Sequence, residues 1–389
     1  MERHYGMDWL RIGAFALLIL YHVGMVFVPW PFAVKTAAPA EWVAIPMLFT
    51  NAWRLMLLFV VSGFASRALY ARSAGVRAFV RNRNLRLLVP LAFGIVVIVP
   101  PQPWVELVTQ HGYAGGFAGF LAHDYFRFGA LDGIILPTWN HLWFVVYLWA
   151  YTQLLALLLL LPRPARLQGW FDRAFGGAGA LWLPIAWLLI FQLLLFRRGV
   201  ETHDFLNDGI AHLAYVPAFL FGFGLGGSRP AMAAFARLWK PAAILALAGY
   251  AVVGSVEALW PGRSVAPWAV GIAFRIAREV QTWASIAALI GLAETCLNRD
   301  HPWRATLTEA VFPFYIIHQT VIVLAEYALR RIGLPAAFEF VILVAATVAG
   351  CWLFYLLGRE VTPLRPLIGL RLATPKRSAR AAAQPLGVP

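Results

Sequence analysis

Charge is scarce in this chain. Only 13% of its 389 residues are Asp, Glu, Lys or Arg, while 61% are hydrophobic and the mean hydropathy is +0.70. A water-soluble protein of this length could not hide so much apolar side chain, so composition excludes a soluble enzyme and predicts a polytopic membrane protein. Strict polar/apolar alternation is also missing, which argues against a β-barrel and for an all-α, helical transmembrane bundle. Acidic residues are few, 18 against 32 Lys and Arg. The resulting charge of +14 reads as topology-setting cations beside membrane helices, with no nucleic-acid partner. Two cysteines, Cys296 and Cys351, are too few and too far apart for a metal cluster. No zinc motif, Gly-rich nucleotide loop or Gly-x-Ser-x-Gly elbow is present, so no metal site and no permanently bound cofactor is expected.

What the chain does have is long apolar runs. About ten spans are expected, at residues 10–30, 46–68, 85–101, 140–161, 180–197, 210–227, 241–260, 267–291, 310–329 and 337–358. The first is expected to be retained rather than cleaved, because it runs apolar to Trp30 without a small-residue cleavage site. Arg67, Arg72, Arg77, Arg81, Arg83 and Arg86 crowd the loop after the second span, and Arg359, Arg365 and Arg371 follow the last. The positive-inside rule then places both termini in the cytoplasm. Residues 1–373 read as one transmembrane domain, and 374–389 as a basic disordered tail. One long segment, 102–140, reads as an outward loop able to admit a polar acceptor.

Ionisable residues inside the spans are the candidate machinery, because burying them in lipid is costly. Arg11 and His22 are eleven residues apart, about 20° past three helical turns and about 16 Å along the axis. They share a face without touching, as a long substrate would require. Arg54 sits at a similar depth in the second span and needs an anion, carbonyls or water. Ser62-Gly63 reads either as a helix-packing step or as a place where a ligand approaches the backbone. Arg83 and Arg86 read either as topology determinants or as a phosphate-binding fork. His141 lies beside Trp139 and Trp143, and reads as an interfacial residue or an acceptor contact. Arg275, Arg278 and Glu279 read as an internal ion pair or a carboxylate-binding site. His318 beside Gln319 suggests a shared mid-membrane polar cavity with His22 and Arg54.

In order and spacing these pieces resemble the membrane acyltransferase-3 family, nearest its periplasmic-glucan succinyltransferase branch. The resemblance rests on Asp8-x-x-Arg11 with His22, Phe59-x-x-Ser62-Gly63-Phe64, Arg83-x-x-Arg86-Leu-Leu-Val-Pro90, His141-Leu-Trp143-Phe and Tyr315-Ile-Ile-His318-Gln319. It covers Asp8 to about Gly358. One departure is that Pro90 follows Arg86 by four residues, where the family often has three. The resemblance implies transfer of an acyl group from cytoplasmic acyl-coenzyme A to a hydroxyl of an envelope glycan, in an inner (cytoplasmic) membrane. It implies essential roles for Arg11 and His22, and donor binding at Arg83 and Arg86. On this reading the donor arm passes Ser62-Gly63 and His22 is the general base. Arg54 or His318-Gln319 would stabilise the oxyanion. Arg275, Arg278 and His141 would contact the acyl or acceptor groups. The rival is a proton-coupled anion transporter or glycan exporter, against which stands the lack of an inverted repeat. A non-catalytic envelope-assembly partner is a third reading, and would need none of the buried charge.

Overall fold

The computed structural model describes residues 4–162, 164–192, 201–262 and 264–372. The expected tail at 374–389 lies outside the described residues.

The chain is a helical membrane bundle. Its first helix, α1 (Tyr5–Phe27), is followed by α2 (Ala44–Asn51) and α3 (Arg54–Tyr70), then α4 (Val76–Phe93) and α5 (Pro101–Gln110). A short turn α6 (Phe117–Gly119) and an antiparallel hairpin, β1 (Gly129–Leu131) with β2 (Ile134–Leu136), lead to α7 (Trp143–Leu158). Next come α8 (Pro164–Phe175), α9 (Gly179–Ile190), α10 (Gly209–Leu225), α11 (Arg229–Leu259) and α12 (Trp268–Cys296). The fold closes with α13 (Pro302–Leu329), α14 (Ala336–Glu360) and the short α15 (Leu364–Leu367).

Within the described residues each of the ten expected apolar segments lies mainly on helix, and the end of the fifth, 193–197, lies outside them. Among the described residues, seven continuous helical stretches are long and apolar enough to cross a bilayer, and α8 with α9 forms an eighth candidate bent by 92°. Helix α10 is apolar but shorter, and α12 carries Arg275, Arg278 and Glu279 within its length. The expected outward loop is corrected. Residues 101–110 continue as helix α5 because Pro101 starts it at a position where a missing N–H costs nothing. Gln102 is therefore fully buried inside the bundle.

Close helix crossings hold the bundle without a hydrophobic drive between helices in lipid. Helices α3 and α10 touch backbone to backbone. A Cβ on Gly63 would lie 1.9 Å from the Phe219 carbonyl oxygen, and one on Gly222 would lie 1.9 Å from that of Val60. Helix α1 packs between α3, α12, α13 and α14. With α13 it runs parallel and in register: Asp8 meets Arg304, Arg11 meets Thr308 and His22 meets His318, at a constant offset of 296 or 297 residues. That pair is the strut on which the site is built.

Candidate active site

Two polar clusters lie along the α1–α13 strut. At the far end of α1, His22 Nδ1 is 3.0 Å from His318 Nε2. His318 Nδ1 is 2.7 Å from the carbonyl oxygen of Tyr315, one turn earlier in α13. A carbonyl only accepts, so His318 Nδ1 carries a proton, and in the neutral ring Nε2 is then the acceptor. His22 then donates from Nδ1, which leaves the lone pair of the neutral His22 ring on Nε2. The ring is held further by stacking on Phe32, at 6.4 Å between centroids and 20° between planes. Phe32 is itself held by its carbonyl, which accepts from Gln110 Nε2 at 2.8 Å. Nearby, Lys35 Nζ donates to the carbonyls of Met25 and Val28 at 2.6 and 2.7 Å, closing the end of α1. Burial pulls that ammonium down to about 8.

Behind His318 the hydrogen bonds continue with one direction. His141 Nε2 donates to the Ile316 carbonyl at 3.0 Å, so its Nδ1 accepts from Gln102 Nε2 at 3.3 Å. The same Gln102 amide donates to Thr320 Oγ1 at 2.7 Å, and Thr320 donates to the Ile98 carbonyl at 2.7 Å. Gln319 Nε2 donates to Gln102 Oε1 at 3.0 Å and to Asn140 Oδ1 at 3.1 Å. Tyr315 closes the set by donating its hydroxyl to the His141 carbonyl at 2.5 Å. This network changes three expectations. His141 is not an interfacial acceptor contact, since it is only 5% exposed and both ring nitrogens are occupied internally. His318 and the Gln319 amide nitrogen are likewise committed, so neither is available to an oxyanion. Of the three, only His318 is hydrogen-bonded to His22 among the described residues.

Arg54 remains the cation beside His22. Its guanidinium lies over the Tyr21 ring at 3.4 Å, its Nη1 donates to the Asn51 carbonyl at 2.9 Å, and its Nε is buried without a hydrogen-bond partner. Arg278 reaches the same place from α12, donating to Asn51 Oδ1 at 2.6 Å, while Asn51 Nδ2 donates to the Tyr21 hydroxyl at 2.6 Å. Tyr215 and Glu201 border this group, the tyrosine hydroxyl donating to the carboxylate at 2.8 Å. Arg275, on the preceding turn of α12, is half-buried.

The second cluster is at the other end of the strut. Arg11, Arg83 and Arg86 lie within range of one another's charge. Arg11 donates to the Thr308 carbonyl at 3.1 Å, and Arg83 donates to the Ser66 hydroxyl, beside the Ser62 carbonyl at 3.5 Å. Arg11 Nε, Arg83 Nε and Thr308 Oγ1 are buried with no partner among the described residues. Such atoms are costly to leave unsatisfied, and an anion would satisfy the two guanidiniums. Asp8 pairs with Arg304, at 2.9 Å, while its charge also bears on Arg11, and Arg304 also holds Asp300 at 2.6 Å. Gly63 is corrected: its open side is filled by α10, so it serves the helix crossing rather than a ligand.

Sequence reasoning missed Gln102, Thr320, Tyr21, Phe32, Ser66 and Arg304. Gln102 and Thr320 carried a usable signal, as polar residues inside or next to apolar runs. Phe32 and Tyr21 carried none, because aromatic residues are expected throughout such a chain.

The arrangement is thus a neutral histidine pair with an adjacent arginine, joined by one rigid strut to an unsatisfied arginine cluster. The family model described as an acyltransferase domain matches residues 4–356. The chain belongs to the acyltransferase-3 family. Its helices make it a multi-pass membrane protein. Among curated relatives, glucans biosynthesis protein C of Shigella boydii serotype 4 (strain Sb227) is 26% identical over 153 residues, 39% of this chain and 38% of that protein. The same protein from Escherichia coli (strain SMS-3-5 / SECEC) matches to the same extent. The match thus spans well under half the length of these relatives. No solved structure matches the chain.

Proposed function

We propose that this acyltransferase moves an acetyl or succinyl group from cytoplasmic acyl-coenzyme A to a hydroxyl of a periplasmic or envelope glycan. The observation that carries the reading is the pairing of the two clusters on one strut. An arginine group suited to phosphates and a histidine group suited to base catalysis are separated by about 16 Å of α1. Coenzyme A, with a phosphorylated nucleotide at one end and a thioester at the other of a thin arm, has that shape. The glucan-biosynthesis name of the relatives supports a glycan acceptor.

In the proposed reaction, His22 Nε2 removes the proton of the acceptor hydroxyl as its oxygen attacks the thioester carbonyl carbon. His318 holds the His22 tautomer that makes this possible. Arg54 faces the oxyanion that develops. The carbon–sulfur bond then breaks, and the proton passes from His22 to the departing thiolate. Arg83, Arg86 and Arg11 hold the donor phosphates, and the arm runs past Ser62. Arg278, with Arg275 a turn away, is placed to meet the free carboxylate of a succinyl group near Arg54. We place the enzyme in the inner membrane with ten spans and both termini in the cytoplasm. Family membership gives the buried charges an acyl-transfer task, where the transport reading needed them for ion coupling.

The test is coenzyme A release by the purified protein in nanodiscs, supplied with acetyl- or succinyl-coenzyme A and a pooled glucan extract. Acceptor-dependent release that falls by about 10²- to 10⁴-fold in His22→Ala is expected. Absence of release with either donor, from protein shown to be folded, would refute the reading.

A further inference from the structure

After α14 the chain does not simply leave the membrane. Residues 364–372 turn back against α4 and α13. Ile368 and Leu370 are buried with Ala310 and Tyr355, and Phe93 of α4 packs on them. The reversal passes through Gly369 at φ +79°, where a side chain would be strained and would also meet Phe312. Arg365 clamps the segment from three sides. Its Nε donates to the Arg371 carbonyl at 2.7 Å, its Nη1 to the Arg359 carbonyl at 2.8 Å, and its Nη2 to Glu309 Oε1 at 3.3 Å.

The result of this clamp is a fourth guanidinium at the arginine cluster. Arg371 lies within range of Arg86, which in turn lies within range of Arg83 and Arg11. The only charges found to bear on Arg83 and Arg86, among the described residues, are those of other arginines. Asp8 offsets Arg11 but does not bear on Arg83 or Arg86, so ordering a segment that brings one more cation to these two is unfavourable unless an anion sits among them. Exposure is graded as well: Arg11, Arg83 and Arg86 are partly buried, whereas Arg371 is exposed at the edge of the cluster. The innermost cations would meet the diphosphate at the base of the arm. The outermost would meet the group farthest from the thioester.

Resting on the donor reading above, we infer that Arg371 is a specificity-determining residue that recognises the 3′-phosphate monoester at the nucleotide end of the donor. A phosphate monoester carries close to two charges at neutral pH, so it is the part of the donor best able to reward an exposed arginine. The segment from α15 to Arg371 is then a part of the donor site and not a mere end to the last helix.

The experiment is calorimetric binding of coenzyme A and of 3′-dephospho-coenzyme A to the full chain in nanodiscs, for wild type, Arg371→Ala and Arg371→Lys. Arg371→Ala keeps the backbone carbonyl that Arg365 holds, so the fold of the segment is preserved. Wild type is expected to bind coenzyme A about tenfold or more tightly than the dephospho form. Arg371→Ala is expected to bind both as weakly as wild type binds the dephospho form, and Arg371→Lys to recover part of the preference. A wild type without preference, or an Arg371→Ala variant that keeps it, would overturn the inference while leaving the donor reading intact. If neither compound binds wild type, the donor reading itself falls, and this inference with it.

Discussion

The two ends of the α1–α13 strut spend their polar atoms differently. Around His318 the donors and acceptors of His141, Gln102, Gln319 and Thr320 are matched to one another and to the Tyr315, Ile316 and Ile98 carbonyls. Around Arg83, by contrast, Arg11 Nε, Arg83 Nε and Thr308 Oγ1 are buried without partners among the described residues, whereas at the histidine end the Arg54 Nε is the unpartnered atom. A satisfied network is rigid and fixes tautomers, which suits a site where geometry decides the rate. An unsatisfied cationic cluster is strained until an anion arrives, which suits a site where binding is the task. The proposed function accordingly puts turnover at one end and donor affinity at the other.

The largest break in this comparison is expected from Arg83→Gln. It should raise the Michaelis constant for the donor about 10- to 100-fold, the loss expected for a charge-assisted phosphate contact, with little change in kcat. A fall in kcat at unchanged Michaelis constant would move Arg83 to the chemical end. Next is Gln102→Leu, which removes the donor to His141 and Thr320 and the acceptor for Gln319. It should lower kcat about tenfold while leaving donor affinity alone, because Gln102 acts only through the orientation of the histidines. Loss of donor binding in that variant would show that the two ends are not separable. The smallest effect concerns the loop that carries Phe32. The Lys35 ammonium is pulled down to about 8 by burial, below its value in an unfolded chain. Its charge therefore penalises the fold below pH 8, and the penalty is relieved as pH rises from 8 to about 10.4. Melting temperature should rise over that window in wild type relative to Lys35→Met. A parallel pH profile in the two proteins would contradict this.

The fold class and the positions of the apolar segments were legible in the sequence, because lipid demands long apolar helices whatever the family. His22, Arg54 and His318 were legible for the same reason, since an ionisable group at mid-span stands out against its surroundings. Their division of labour was not. In one dimension His318 reads as an oxyanion donor and His141 as an interfacial residue or acceptor contact. Only the carbonyls of Tyr315 and Ile316, which any residue supplies, show that both rings are occupied. Gln102 was hidden by Pro100-Pro101, which read as a helix end and instead introduces a new helix. Gly63 was read both as a packing step and as a ligand contact, and the Phe219 carbonyl opposite it decides for packing. The register of α1 with α13, which brings residues some 300 positions apart together three times, has no one-dimensional signature.

The most direct test of the split between the two ends is coenzyme A binding to His22→Ala and Arg83→Gln, measured beside their turnover. The account predicts that His22→Ala binds coenzyme A as wild type does yet releases it from acyl donors about 10²- to 10⁴-fold more slowly, while Arg83→Gln binds it at least tenfold more weakly. His22→Ala losing donor affinity as severely as Arg83→Gln would contradict it.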